Sequence, residues 1–434
     1  MESKILEKFK VFYFMMVAVL MYYFVNEYID MGIHITYRHV FALVLAFSAF
    51  ALFLYKPNIA RGITAFKSAA IYSTPLLVTT VVSLFIWFVN TAEVSVISRG
   101  LSGTFVYKNM FSLALGAGAF LYIFGEKGIW YNLVAILISN IFIIFTVVMQ
   151  YGLGNYISEF VTLVTTFAGE TGDIIVNAEI HELAFCLGAY LTYMLYKPKK
   201  SVLFFVLLFL SLFCFLSAFK RIAIIAIAIA LILGYILKFI ARYSPKTASG
   251  LTVGLSILVI IILIVYIALI KGDAFELLEK AGVNTSGRVG IYNSVDEFYE
   301  FSPSFLGNGI DFVTFQLNSS INIGVASIHN DFLQHYIDLG FWGYIIWLVS
   351  LTLVRICYFG RRGKVDSAII SFILTVYLII VSSTDNTMNY PLLGGVLAMI
   401  MIGHGFDGDV RHRENKMFGY ICKENRERES DSLL

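Results

Sequence analysis

Long apolar runs, separated by short polar segments, make up most of this chain. A helix needs about 20 mainly apolar residues to cross a bilayer, and by that rule the sequence predicts twelve spanning helices. The predicted fold is therefore an all-α membrane protein, with a polytopic domain over residues 1–406. The predicted spans lie near residues 11–28, 38–55, 70–90, 104–124, 129–150, 178–196, 201–219, 221–241, 250–270, 332–356, 366–384 and 390–406.

The basic residues support this arrangement, because cytoplasmic segments of membrane proteins carry an excess of Lys and Arg. With the N-terminus inside and the spans alternating, 23 of the 31 basic residues fall on the inside. The sequence thus predicts that both termini are cytoplasmic. The run after Lys10 is predicted to be an anchor, since no small-residue cleavage site follows it. The basic residues predicted on the outside are Arg38, Arg99, Lys108, Lys220, Arg221, Lys271, Lys280 and Arg288.

Composition excludes several classes of protein. Charged residues make up 14% of the chain, against roughly 25% in a soluble domain. The net charge of +2 gives no reason to expect a nucleic-acid partner. The four cysteines form no CxxC pair, and Phe185 stands where an HExxH motif starting at His181 needs its second histidine. The sequence therefore predicts neither a metal site nor a cofactor.

The longest polar interruption covers residues 271–331 and is predicted to lie outside. Residues 273–280 are predicted to be helical, and Ser286 is predicted to cap a second short helix. The Gly307-Asn308-Gly309 sequence indicates a turn. The charged tail, residues 407–434, has few apolar residues and is predicted to be cytoplasmic and disordered.

Cations at the outer face are the first candidate site residues. Lys220 and Arg221 stand in a tight turn between two apolar runs, and Arg288 follows Ser286-Gly287 in the long loop. Charge near a membrane is costly unless it is paired or used, and the planar guanidinium suits phosphate. Anchoring at the interface explains the Lys-Arg pair equally well, and solvation explains a single loop arginine. Two arginines on one face would bracket a pyrophosphate without a metal.

A second polar group begins where the loop re-enters the membrane. His329 titrates near neutral pH and suits a general base acting on a sugar hydroxyl, although a structural hydrogen-bond role explains a lone histidine as well. Asn330 is predicted to cap the helix that follows. The next polar residues share one helical face, which is predicted to face a cavity or the bundle interior. They are Asp331, Gln334, His335 and Asp338.

Two further features belong to this region. Gly340 and Gly343 are predicted to permit close helix packing. Asp385 and Asn386 lie between the last two predicted spans, where they either line the same outer cavity or form a solvated turn.

These motifs resemble the bacterial O-antigen ligase and O-antigen polymerase superfamily of membrane glycosyltransferases. His329-Asn330, nine residues and then Gly340-Phe341-Trp342-Gly343 are similar to the ligase signature H-[NSQ]-x9-G-x-x-[GTY]. The resemblance spans about residues 220–345. The other similar elements are Ser286-Gly287-Arg288 with Tyr292 (an SGR-x3-W element with Tyr for Trp), Leu306-Gly307-Asn308-Gly309 (a glycine turn) and Lys220-Arg221 (a Ser-Arg pair with Lys for Ser).

The resemblance implies a specific chemistry. The donor would be a glycan on undecaprenyl pyrophosphate, transferred with inversion and without a metal at the outer face of the bacterial cytoplasmic (inner) membrane. Arg221 and Arg288 would hold the pyrophosphate, and His329 would activate the acceptor hydroxyl. The other residues expected to contact substrate are Lys220, Tyr292, Asn330, Asp331 and His335.

Three activities remain open at this point. A polymerase would use a second lipid-linked glycan as acceptor, alongside chain-length regulator and flippase proteins, and a ligase would use lipid A core. The His-Asn-Asp sequence at 329–331 favours the polymerase. A transporter of lipid-linked sugars would need a charged path through both leaflets, whereas the predicted spans before residue 200 are nearly free of charge.

Overall fold

The computed structural model describes residues 2–24, 28–30, 34–92, 94–166, 174, 180–218, 220–282, 287–319, 328–361 and 365–416. Over these residues the chain is helical, as predicted, apart from one short antiparallel hairpin. The hairpin pairs β1 (Tyr28–Asp30) with β2 (His34–Thr36). It begins at Tyr28, where the first span was predicted to end. The first helix stops earlier, at Tyr23, and β-forming residues follow.

The N-terminal half of the described chain consists of long helices joined by short connections. A 3-10 turn, Gly125–Lys127, links the fifth helix to the sixth. The helices are α1 (Glu2–Tyr23), α2 (Tyr37–Tyr55), α3 (Ile59–Tyr72), α4 (Thr74–Val89), α5 (Val94–Phe124), α6 (Gly128–Tyr151), α7 (Leu153–Thr166) and α8 (Ile180–Tyr196).

The C-terminal half adds three short helices, α12 to α14, within the long external loop predicted from the sequence. The first two confirm the helices predicted there, although Ser286 lies outside the described residues. The helices are α9 (Val202–Ser217), α10 (Arg221–Tyr243), α11 (Pro245–Lys271), α12 (Ala274–Lys280), α13 (Arg288–Val295), α14 (Phe312–Ser319), α15 (Asp331–Val349), α16 (Arg355–Gly360), α17 (Val365–Ser382), α18 (Pro391–Gly403) and α19 (Phe406–Lys416).

The structure does not confirm the predicted count of twelve membrane spans. Within the described residues, six helices are long and apolar enough to cross a membrane, or up to eight if each bent pair counts once. Every predicted span overlaps a helix, but α8 and α9 are shorter than 18 residues. The pairs α3–α4 and α18–α19 bend by 50° and 49°. At the first bend, Arg355 Nε donates a 2.9 Å hydrogen bond to the Tyr72 carbonyl, which ends α3.

Three helices form the centre of the bundle. In α17, 78% of the apolar window is buried, and every residue of α18 is buried. The third is α8, which packs against both of them. By contrast, α10 and α11 bury only 28% of their windows and present apolar side chains around the outside. A site built on the connection between α17 and α18 therefore has a rigid support.

The start of the charged tail differs from the prediction. Residues 406–416 form α19 rather than a disordered segment. Asp407 Oδ2 accepts a 3.1 Å hydrogen bond from the Glu126 amide, and Asp407 Oδ1 lies 3.7 Å from Arg61 Nη2. These contacts hold α19 against the α5–α6 turn, which the composition of the tail did not reveal. The remaining tail residues, 417–434, lie outside the described residues.

Candidate functional site

Helix α15 is broken at Gly340, where φ is 69° and ψ is −178°. The rings of His335 and Trp347 stack with centroids 4.1 Å apart. In a straight helix, residues twelve apart would be separated by about 18 Å along the axis. The part before the break, residues 331–339, therefore folds back toward the part after it; we call it the half-helix.

A loop from the external segment docks at this break. The Gly309 amide donates a 2.7 Å hydrogen bond to the Asp338 carbonyl, and the Phe341 amide donates a 2.9 Å bond to the Phe305 carbonyl. A Cβ on Gly340 would collide with the backbone of Leu306. The absence of a side chain at Gly340 thus leaves room for the predicted Gly307-Asn308-Gly309 turn, which explains why the position needs glycine.

Gly343 serves the helix packing that was predicted for both glycines. A Cβ there would lie 2.6 Å from Val82 Cγ1 on α4, and α4 packs closely against α15.

Asn330 confirms the predicted helix cap. Its Oδ1 accepts hydrogen bonds from the Phe332 amide at 3.2 Å and the Leu333 amide at 3.1 Å. Its Nδ2 donates to the hydroxyls of Tyr266 and Tyr292, each at 3.0 Å. Asn330 is fully buried, so these bonds fix the start of the half-helix to α11 and α13.

The polar stripe on the half-helix is buried in the bundle interior, one of its two predicted placements, and three of its four members bind other segments of the chain. Asp331 Oδ2 accepts a 2.8 Å hydrogen bond from the Met388 amide. Gln334 Nε2 donates to Thr314 Oγ1 at 3.2 Å. The stripe continues with Asp338, which accepts from the amides of Asp311 and Val313, and His335, whose Nδ1 lies 2.7 Å from the Asp331 carbonyl oxygen.

The connection between α17 and α18, residues 383–390, is the segment at which these elements meet; we call it the site loop. Tyr266 OH donates a 3.2 Å hydrogen bond to the Ser383 carbonyl. Arg288 Nη2 donates a 2.8 Å bond to the Thr384 carbonyl. Arg288, from the long loop that was predicted to be external, therefore contacts the same segment as the half-helix.

Asp385, in the site loop, faces His329. His329 Nδ1 lies 3.8 Å from Asp385 Oδ1, and the side chains are 45% and 18% exposed. The Asn386 amide donates a 2.8 Å hydrogen bond to the same carboxylate oxygen. Burial raises the pKa of Asp385, but the His329 imidazole, the Lys220 ammonium and the Asn386 amide together hold it below its ordinary value. The carboxyl is thus kept ionised beside the imidazole.

Two oxygen atoms beside Asp385 complete the site. Thr384 Oγ1 and Asn386 Oδ1 are buried and have no hydrogen-bond partner among the residues that the structure describes. Buried polar groups almost always find a partner. These two atoms therefore mark a place where a ligand or water supplies hydrogen bonds.

The predicted cations at the start of α10 lie at the same end of the bundle. Lys220 is the N-cap of α10, and its Nζ lies 6.0 Å from the centre of the Phe185 ring. Its charge reaches Asp385. Arg221 is the first residue of α10 and is half-buried. Helix α10 packs against α17, which leads into the site loop.

Other predicted outside cations have carboxylate partners. Arg38 Nη1 lies 2.9 Å from Glu182 Oε2, a buried pair, and Glu182 also accepts from the Leu392 amide. Lys271 and Lys280 pair with Asp296 at 2.8 Å and with Glu276 at 3.5 Å. The side chains of Arg99 and Lys108 lie outside the described residues.

The structure brings together some of the predicted site residues and buries others. His329, Arg288 and Lys220 come together at the site loop, and Arg221 adjoins Lys220. Tyr292, Asn330, Asp331 and His335 were expected to contact substrate, but they are buried and bonded to other protein groups. Contact of these four residues with substrate stays a prediction, and in the structure their bonds support the site.

Asp385 was not among the site residues predicted from the sequence. Its position between two apolar runs on the outer side was the available signal, and the structure makes it the partner of His329 rather than a solvated turn residue.

Part of the chain matches a known protein family. Residues 205–348 match the family model described as O-Antigen ligase. Comparison with curated proteins gave no match. The matched range includes α10, α11, Arg288, His329 and the break at Gly340. The resemblance to the O-antigen ligase and O-antigen polymerase superfamily is thereby confirmed for residues 205–348 of this multi-pass membrane protein.

Proposed function

We propose that the protein is a membrane glycosyltransferase that polymerises the repeat units of a bacterial polysaccharide: O-antigen, capsule or exopolysaccharide. It transfers a glycan from undecaprenyl pyrophosphate to a sugar hydroxyl of a second lipid-linked glycan. The observation that carries the proposal is the 3.8 Å approach of His329 to Asp385. This pair lies at a loop contacted by the cations needed for a pyrophosphate leaving group.

His329 and Asp385 have different roles in the proton transfer. The acceptor oxygen forms a bond to the anomeric carbon while the bond from that carbon to the phosphate oxygen breaks. The hydroxyl proton passes to His329 Nε2, because Nδ1 faces Asp385. The ionised Asp385 stabilises the imidazolium that forms. Attack opposite the leaving group inverts the anomeric centre.

The cations act on the leaving group. Undecaprenyl pyrophosphate departs with the bonding electrons, and Arg288 and Arg221 stabilise its added charge. A guanidinium offers five N–H donors in a planar fork that suits phosphate oxygens. One N–H group of Arg288 donates to the Thr384 carbonyl, and this bond orients the guanidinium at the site loop. In this proposal the protein supplies the positive charge, so transfer is metal-independent.

The acceptor sugar occupies the other side of the site loop. Thr384 Oγ1 and Asn386 Oδ1 flank Asp385 and are buried without a described hydrogen-bond partner. Sugar hydroxyls donate hydrogen bonds to such oxygens. An acceptor bound there would bring its hydroxyl next to His329.

Membrane position supports the choice of donor. The distribution of Lys and Arg favours cytoplasmic termini and a site at the outer face of the cytoplasmic membrane. Nucleotide sugars are absent from that side, whereas lipid-linked glycans are delivered there. The proposed partners are the two lipid-linked glycans, the bilayer, a flippase and a chain-length regulator.

The family description supports a second candidate, an O-antigen ligase with lipid A core as acceptor. A gel of surface glycans from a strain that lacks the gene separates the two. Products that carry a single repeat unit indicate a lost polymerase. Bare core together with long lipid-linked chains indicates a lost ligase. Unchanged surface glycan would contradict both.

A further inference from the structure

We infer that Asp331 is a positioning residue that holds the site loop so that Asp385 faces His329. Its consequence for catalysis rests on the proposed function, but its effect on geometry does not. The inference assigns a task to the third residue of the His-Asn-Asp sequence, which the proposed chemistry leaves unused.

The central contact joins the half-helix to the middle of the site loop. Asp331 is fully buried and accepts a 2.8 Å hydrogen bond from the Met388 amide. Met388 lies three residues after Asp385 along the loop. The bond gives a partner to a backbone amide that would otherwise be buried without one, which is costly, so it restricts the loop where it would otherwise be able to move away.

The rest of the site loop is held by groups on other elements. Tyr266 and Arg288 bind carbonyls at its start. Glu182 accepts a 2.9 Å hydrogen bond from the Leu392 amide, just after its end. Between these points Thr387 Oγ1 lies 2.6 Å from Ser382 Oγ at the end of α17, and Asp331 supplies the contact that comes from the half-helix. Because it is two residues from His329, it ties the loop to the segment that carries the imidazole.

The chain contains a matched control for this contact. Asp338 lies seven residues after Asp331 on the same face of the half-helix and is also buried. It accepts hydrogen bonds from the amides of Asp311 and Val313, in a loop with no proposed reactive group. Loss of either aspartate removes a buried carboxylate, but only Asp331 contacts the site loop.

The test measures proximity and requires no glycan substrate. The His329→Cys/Asp385→Cys double variant is treated with a short bis-methanethiosulfonate crosslinker, and intramolecular crosslinking is quantified by mass spectrometry. This pair of substitutions removes the direct contact and leaves the anchors to hold the two segments together. The natural cysteines are first replaced by alanine: Cys186, Cys214, Cys357 and Cys422.

We expect Asp331→Ala to lower the crosslinking yield about tenfold, the order by which leaving a buried amide without its acceptor shifts a local equilibrium. Asp331→Asn keeps an oxygen for the Met388 amide and should retain the yield, as should Asp338→Ala. If Asp331→Ala does not fold, Asp331→Ser replaces it, because its shorter side chain does not reach the amide.

Two results would overturn the inference. One is an unchanged yield in Asp331→Ala, and the other is an equal loss in Asp338→Ala, which would indicate general destabilisation. Transfer activity adds a second readout: Asp331→Ala combined with Asp385→Ala should be no worse than Asp385→Ala alone. If the unsubstituted protein transfers no glycan, the proposed function fails while the crosslinking result still decides the role of Asp331.

Discussion

The central and peripheral helices contribute different chemistry to the site. The site loop, with Asp385, joins the two buried helices α17 and α18. Lys220 and Arg221 come from α10, whose window is only 28% buried, against 78% in α17. Arg288 comes from the external loop. The carboxylate that faces His329 thus stands on the buried centre, whereas the cations stand on the peripheral helix α10 and on the long loop.

This difference suggests how the two substrates are separated. In the proposed function, a lipid-linked donor approaches through the bilayer and meets the peripheral cations first. The acceptor hydroxyl must be held more accurately, because small displacements of reacting atoms are costly to rate. Substitutions in the central part should therefore change turnover or acceptor binding, and substitutions in the peripheral part should change donor binding.

The largest expected effect is that of His329→Ala. Loss of a general base reduces transfer by about a thousandfold, with donor affinity retained, because the imidazole acts on the acceptor. The measurement is transfer in proteoliposomes that contain a fluorescent lipid-linked donor. His412→Ala, in the exposed part of α19, is the control and should keep full activity. A His329→Ala variant with normal turnover would remove the base assignment.

Arg288→Ala should lower transfer about a hundredfold, through weaker stabilisation of the leaving pyrophosphate. Arg288→Lys should restore little of this loss, since an ammonium lacks the planar fork. Donor titrations would measure the change. Lys280→Ala removes an exposed cation of the same external loop, paired with Glu276, and should have no effect. Equal losses in both variants would point to nonspecific attraction of the anionic donor.

Asn386→Ala should raise the KM for the acceptor about tenfold, the order expected for losing one hydrogen bond to the sugar. The KM for the donor should stay constant, because this residue lies on the acceptor side of the site loop in our proposal. Separate titrations of donor and acceptor provide the measurement. A change confined to the donor would reverse the proposed arrangement.

The smallest expected effect is the pH dependence of stability at Asp385. Its pKa in the folded protein lies below the ordinary value. Its ionised form therefore stabilises the fold above the unfolded-state pKa of about 3.9. This contribution is lost as the pH falls through the folded-state pKa. Asp385→Asn should lower Tm at pH 7, and the difference from the unsubstituted protein should shrink below about pH 4. A difference independent of pH would contradict this account.

Features set by neighbouring residues were predictable from the sequence. The apolar runs located the helices, Asn330 was recognised as a cap, and the Gly307-Asn308-Gly309 turn was recognised from its glycines. Contacts between distant segments decided the rest. The bend between α3 and α4 coincides with the bond from Arg355 to the Tyr72 carbonyl, a contact across more than 280 residues.

The same distinction between local features and contacts of distant segments applies to the site. Candidate cations and His329 could be found by residue type and predicted side of the membrane. The pairing of His329 with Asp385 could not, because it depends on how the α17–α18 connection packs against the start of the half-helix. Glycine tolerates both helical and positive φ values, so the fold-back at Gly340 was also hidden until the docked loop was seen.

Because of the fold-back, the number of residues between Asn330 and Gly340 determines where His329 lies. One end of the half-helix is clamped at the glycine turn, and the other end carries His329. A single inserted residue would rotate that end by about 100° and advance it by about 1.5 Å, which would swing the imidazole out of phase with the site loop. The nine positions between Asn330 and Gly340, all of them buried, are thus constrained in number as well as in packing.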